Sequence, residues 1–169
     1  MKEENINVCP SCGAHWHDNV TCEDHFRQML AWDFSDAQAG AVHHLTVLCY
    51  HLQHPHLLSQ EGLVGQMELL RLSIEEAYSP SELRAYNRPL ADNATRKTPI
   101  SARPDNIGAY KQPIAWSMTC SYVTEIGLEG YPDRVRQWAS SVMNTLRAVG
   151  KSNKSMIIFV QNNQMIHLI

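Results

Sequence analysis

No stretch of this sequence approaches the roughly 18 to 20 consecutive apolar residues that a bilayer-spanning helix needs. The opening "MKEENINVCP" also lacks the apolar core of a secretory signal. The expectation is therefore a cytoplasmic chain with no membrane as partner. Positive charge is scarce as well: 14 Lys and Arg stand against 17 Asp and Glu, a formal net charge of −3. With no global positive field to gather phosphates, nucleic acid is disfavoured as a partner. The strings that announce common enzymes are missing too, with no HExxH, no GxSxG, no Walker sequence and no dinucleotide fingerprint. Internal repeats and low-complexity tracts are absent. Cysteines number only five; an odd count in a reducing compartment points to free or metal-bound thiols rather than disulfides.

What is present suffices for one hydrophobic core. The chain has 169 residues, 44% of them hydrophobic and 18% charged, the balance of a folded domain rather than of a disordered segment. The expected class is all-α or mainly α: a compact bundle of five or so helices carrying an N-terminal zinc-knuckle segment. The organisation reads as a knuckle over 1–21, a helical domain over 22–150 and a tail over 151–169.

Apolar spacing places a first helix from about Cys22 to Asp33, with Phe26, Met29, Leu30 and Asp33-Phe34 at near-helical spacing. A second is bounded by an N-cap at Ser35 or Asp36 and by Pro55. A third has Ser59 as N-cap and Leu63, Met67, Leu70 and Ile74 along one stripe. A fourth starts at "SPSE", where Ser79 caps, Pro80 takes the first helical position and Glu82 completes a capping box. Residues 89–115 hold four prolines without periodicity and read as a long loop, either solvated or covering a site or a partner surface. "WSMTCSYVTEIGLEG" fits a short helix or a strand. The clearest helix is opened by Pro132 and closed by Gly150, with Val135, Trp138, Val142, Leu146 and Val149 as its core stripe. The tail "SMIIFVQNNQMIHLI" patterns as a β-ribbon. A lone hairpin is marginal, so it needs a docking surface or a second subunit.

The chemistry concentrates in "CPSCGAHWHDNVTCEDHF", which holds three cysteines and three histidines. Cys9-Pro-Ser-Cys12-Gly13 has the form of a knuckle, two thiolates two residues apart in a tight turn with Gly13 letting the chain reverse. A tetrahedral ion needs two more ligands. Cys22 and His25 complete a local string, C-x2-C-x9-C-x2-H, whose second pair opens a helix. His15 and His17 are nearby alternatives whose extended setting favours solvent. A non-local solution lies in "VHHLTVLCYHLQHPH", where His43, Tyr50 and His54 share one helical face and His44, Leu48 and His51 a neighbouring one. His56 reads as exposed, and Cys49 and Cys120 as small core residues.

Three motifs together, "CPSCGA" followed by Cys22, "VHHLTVLCYHLQHP" and "RVRQWASSVMNTL", resemble a bacterial family of small domains of unknown function. That family has a CPxCGA knuckle, a VHxLTVxxYxxQHP helix and an RVxxWAxSV helix, matched here in outline over residues 8 to 148. The resemblance marks Cys9, Cys12, Cys22, His43, Tyr50, Gln53 and His54 as motif residues. The family pattern has no histidine at the position of His25, which favours His43 or His54 as the fourth ligand. It implies no established activity and names no small-molecule ligand.

Two functions follow from a metal at this place. One is a closed structural zinc site on Cys9, Cys12, Cys22 and one histidine, within a binding or regulatory module. The other is a metal-dependent, hydrolase-like enzyme with an open coordination position near His54, for which Tyr50, Glu23 and Asp24 are the available groups.

Overall fold

The computed structural model describes residues 7–16, 19–91 and 100–152. The expected C-terminal ribbon and His17 lie outside these residues, as do Arg96 and Lys97 of the proline-rich loop. Among the described residues the fold is mainly helical: 63% helix in seven helices, with one small two-stranded antiparallel sheet.

The sheet belongs to the knuckle. Strands β1 (Asn7–Val8) and β2 (His15–Trp16) pair antiparallel, Asn7 opposite Trp16 and Val8 opposite His15. The turn between them is closed by Cys9 N–H to Ala14 O and Gly13 N–H to Cys9 O, both 2.9 Å. Gly13 sits at φ 72, the left-handed region that an L side chain rarely adopts.

Helix α1 (Cys22–Ser35) starts at a capping box that the sequence reading did not single out: Thr21 accepts from the Asp24 amide and Asp24 accepts from the Thr21 amide. Of the positions at helical spacing Met29 and Asp33 are buried, whereas Phe34 is 81% exposed. The expected second helix is divided. Asp36 caps a short α2 (Ala37–Gly40), and α3 (His43–Gln53) begins after a non-helical Val42. Gly40, the last residue of α2, lets that helix approach α1 closely, since a Cβ there would lie 2.8 Å from the Asp33 carbonyl oxygen.

A single turn of 3-10 helix, Pro55–Leu57, leads to α4 (Gln60–Glu75), whose N-cap is Ser59 as its position predicts. Helix α5 (Pro80–Ala91) opens with the Ser79 and Glu82 capping box. It runs three residues into the segment read as loop. The short α6 (Cys120–Thr124) resolves the ambiguous stretch in favour of helix. The last helix, α7 (Tyr131–Ser152), passes through Gly150. Gly150 is not at positive φ, so it does not act as the left-handed stop assigned to it.

Helix α3 is the centre, packed on α1, α4 and α7. Trp138, Tyr131, Met29, Leu52, Leu63 and Leu70 are the largest fully buried side chains around it. One buried polar group ties this core together: Gln53 accepts from Trp138 Nε1 at 3.2 Å and donates to Met118 O at 2.7 Å. Both ends of the amide are satisfied, so burying it carries little penalty.

The described part of the proline-rich loop is a strap over the start of α4. Ser59 N–H bonds Ile100 O, Ala102 N–H bonds Leu57 O and Gly108 N–H bonds Leu58 O. Tyr110 Oη donates to Leu52 O at 2.7 Å. The strap passes so close that a Cβ on Gly62 would collide with the Ile100 carbonyl, whereas a Cβ on Gly65 of the same helix meets nothing within 4 Å. Gly62→Ala is expected to cost about 2 kcal/mol through forced displacement of backbone. Gly65→Ala should instead stabilise by about 0.5–1 kcal/mol through helix propensity. Urea unfolding of the two variants checks the strap, and equal effects at the two sites would contradict its placement.

Candidate metal centre

Proline 55 organises the centre. A residue before proline is pushed out of the α region, and His54 accordingly leaves the helix at φ −126, ψ 63. Its amide bonds His51 O instead of continuing the ladder. The Tyr50 carbonyl, four residues back, loses the amide that a continuing helix would have supplied. The His54 ring turns back to fill that gap, with Nδ1 2.7 Å from Tyr50 O. A carbonyl only accepts, so Nδ1 carries the ring proton and Nε2 presents its lone pair.

That lone pair faces sulfur. Nε2 lies 3.3 Å from Cys22 Sγ and 3.6 Å from Cys9 Sγ, and the two sulfurs are 3.4 Å apart. With Cys12 included, the four donor atoms all lie within 4.8 Å of one another, and all four residues are buried. A tetrahedron with zinc–sulfur arms near 2.3 Å has sulfur–sulfur edges of about 3.8 Å and sulfur–nitrogen edges of about 3.6 Å. The observed separations fit one ion. None of the five cysteines is in a disulfide.

Each donor is held by its own element. Cys9 and Cys12 come from the turn between β1 and β2, Cys22 from the first residue of α1 and His54 from the end of α3. Aromatic stacking steadies the histidine: Tyr50 stacks on it at 4.1 Å between centroids, and Phe26 stacks on the far face of that tyrosine at 3.9 Å. Ser11 Oγ adds a second link from knuckle to turn, 3.3 Å from His56 Nδ1. Cys22 is the sulfur most readily held as thiolate. Its hydrogen bonds with Cys12 and Cys120, the two largest causes, draw its pKa well below the usual thiol range. Cys12 is pushed up in turn, by its bonds to Cys120 and Cys22 and then by burial.

The remaining sequence-proposed residues lie elsewhere. His43 is not at the cluster; its Nδ1 is 2.9 Å from Asp33 Oδ2, and Tyr131 Oη donates to the other oxygen of that buried carboxylate at 2.8 Å. Thr46 Oγ1 extends this network, 3.0 Å from Tyr131 Oη. His25 is also apart, its Nδ1 2.7 Å from Thr124 Oγ1 of α6. Burial pushes its pKa down. The shared face proposed for His43 and His54 dissolves because His54 is not helical. His15 is exposed on β2, and His51 pairs with Gln66. The two carboxylates offered as bases are occupied: Asp24 in the α1 cap and Glu23 in an ion pair with Arg27 at 2.6 Å. Tyr50 is pushed well above the usual phenol range, first by burial and then by the charge at Cys22.

One residue at the centre was not read as part of it. Cys120 is a core residue, as its lack of finger-like spacing suggested, yet its Sγ also donates to the Cys22 carbonyl at 3.4 Å. Its position at the start of α6, 98 residues from Cys22 in sequence, leaves no local spacing that signals the contact.

No curated protein and no solved structure matches the chain. A match does extend over residues 7–147, which includes all four clustered donors and the strap, and by it the chain belongs to a family of unknown function, DUF5946.

Proposed function

We propose that this protein is a zinc-binding helical domain in which Cys9, Cys12, Cys22 and His54 hold one ion in a closed tetrahedral site. The ion's role is structural: it clasps the N-terminal knuckle to the helical core of a binding or regulatory module. The observation that carries this reading is the convergence of four buried donors from three separate segments, with the histidine tautomer fixed by a backbone carbonyl. Orientation of a ligating histidine through its other ring nitrogen is the usual supporting arrangement of metal sites. Zinc suits the donor set, because three thiolates and an imidazole are soft to borderline ligands in tetrahedral array.

A hydrolytic role finds less support. Four protein donors fill a tetrahedral ion and leave no position for water. Cavities of about 770 and 460 Å³ lie along α7 and between α2 and α7, and neither is lined by a cluster residue. Cys9, Cys12 and Cys22 lie in the same buried core as Met29 and Leu48, with His54 buried beside them.

Elemental analysis of the purified chain should find one zinc per molecule. Cys12→Ser and His54→Ala should each lose it and unfold at lower temperature. His43→Ala and His25→Ala should retain it, with His43→Ala costing about 1–3 kcal/mol because buried Asp33 loses a partner. Loss of zinc from His43→Ala or His25→Ala alone would reassign the fourth ligand. A strong chelator should raise amide exchange over 7–16 and the first turns of α1 while α4 and α7 stay protected; uniform protection throughout would contradict a structural role. Pro55→Ala touches no ligand but lets the α3 ladder continue toward His54. It should weaken zinc affinity by about tenfold, the size of effect seen on loss of an orienting group, and competition with a chromogenic chelator would read it out.

A further inference from the structure

A tetrahedral ion on Cys9, Cys12, Cys22 and His54 uses three of the five cysteines, and a fourth packs against Cys22. The surplus sulfur is Cys120, 1% exposed, at the first position of α6. Its thiol donates to the Cys22 carbonyl at 3.4 Å, which seats it against the first residue of α1. Cys49, the fifth cysteine, is fully buried in α3 and takes no part.

The surroundings hold Cys120 in register with Cys22. Helix α6 is only five residues long, too short to fix its own position. Arg134, itself buried, pins the turn that follows it by donating to the carbonyls of Val123, Glu129 and Gly127. From the other side, Thr124 of α6 bonds His25 of α1, one turn beyond Cys22. The histidine that the local spacing offered as a ligand thus joins the two helices that carry the two sulfurs. Cys22 is buried like Cys9 and Cys12, but it alone of the three lies at the N-terminus of a 14-residue helix, where a thiolate is stabilised.

We propose that Cys120 is the resolving thiol of a peroxide-responsive metal centre, so that oxidation joins it to Cys22 and releases the ion. This rests on the zinc reading above. The Cys22 thiolate attacks one oxygen of hydrogen peroxide; the sulfur–oxygen bond forms, the oxygen–oxygen bond breaks, and hydroxide leaves a sulfenic acid behind. Cys120 sulfur then attacks that sulfur. The sulfur–sulfur bond forms, the sulfur–oxygen bond breaks, and the departing hydroxide takes the Cys120 proton to become water. One thiolate and one thiol are oxidised by two electrons in total, and one peroxide is reduced to a hydroxide and a water. The ion keeps its oxidation state, loses one of four ligands and departs as a divalent cation. A resolving sulfur must be unbound and adjacent. Among the described residues Cys120 alone meets both conditions, since Cys9 and Cys12 are occupied by the ion.

The test titrates the zinc-loaded full chain with hydrogen peroxide beside a chromogenic zinc chelator and maps disulfides by mass spectrometry after alkylation. Zinc release should accompany a bridge joining Cys120 to Cys22, and dithiothreitol with added zinc should restore occupancy. Cys120→Ala should load zinc equally and then lose that recovery, because its sulfenic acid proceeds to sulfinic acid. A bridge confined to Cys9, Cys12 and Cys22, with recovery intact in Cys120→Ala, would overturn the proposal. Mapping the unaltered chain decides the question even if the variant does not fold. If the purified chain carries no zinc, the metal reading fails separately; a peroxide-formed bridge to Cys120 then still identifies the redox pair, and its absence removes it.

Discussion

The hydrogen bond from His54 Nδ1 to the Tyr50 carbonyl is the contact on which the centre depends. It exists because Pro55 ends α3 one residue early, which frees a carbonyl and a histidine at the same place. The ring meets the need of the carbonyl with one nitrogen and offers the other to the sulfurs. A helix continued by one residue would have carried His54 Nε2 away from Cys22 and Cys9. The geometry of the site thus begins in a backbone constraint, and the thiolates complete it.

Much of the architecture was readable from local chemistry. Ser59 and the Ser79 to Glu82 box announce α4 and α5 by capping rules that act within one turn. The Val135, Trp138, Val142, Leu146 stripe announces α7 because a 22-residue amphipathic helix leaves a clear period. The departures have non-local causes. Gly40 meets the Asp33 backbone across α1 and α2, and buried Asp33 accepts from Tyr131, 98 residues away. Spacing alone shows neither.

The candidate site divides in the same way. The knuckle cysteines follow from a motif with an evident mechanism, and Cys22 from its place at a helix start. Among His25, His43 and His54, periodicity could not choose, because it treats residue 54 as helical when the following proline makes it a cap. The structure gathers His54 with the cysteines and gives the other two to α6 and to Asp33. Cys120 lay beyond reach of any spacing argument. Its contact with Cys22 arises from the packing of α6 on α1.

Two-residue strands are marginal by themselves, and in the proposed reading a metal clasp holds the N-terminal segment to the helices. The most direct measurement of that claim is zinc K-edge X-ray absorption on the purified chain. It should show three sulfurs at about 2.3 Å and one imidazole nitrogen at about 2.0–2.1 Å, the first shell of a closed site. A shell with fewer than three sulfurs, or with a water oxygen completing it, would contradict the account.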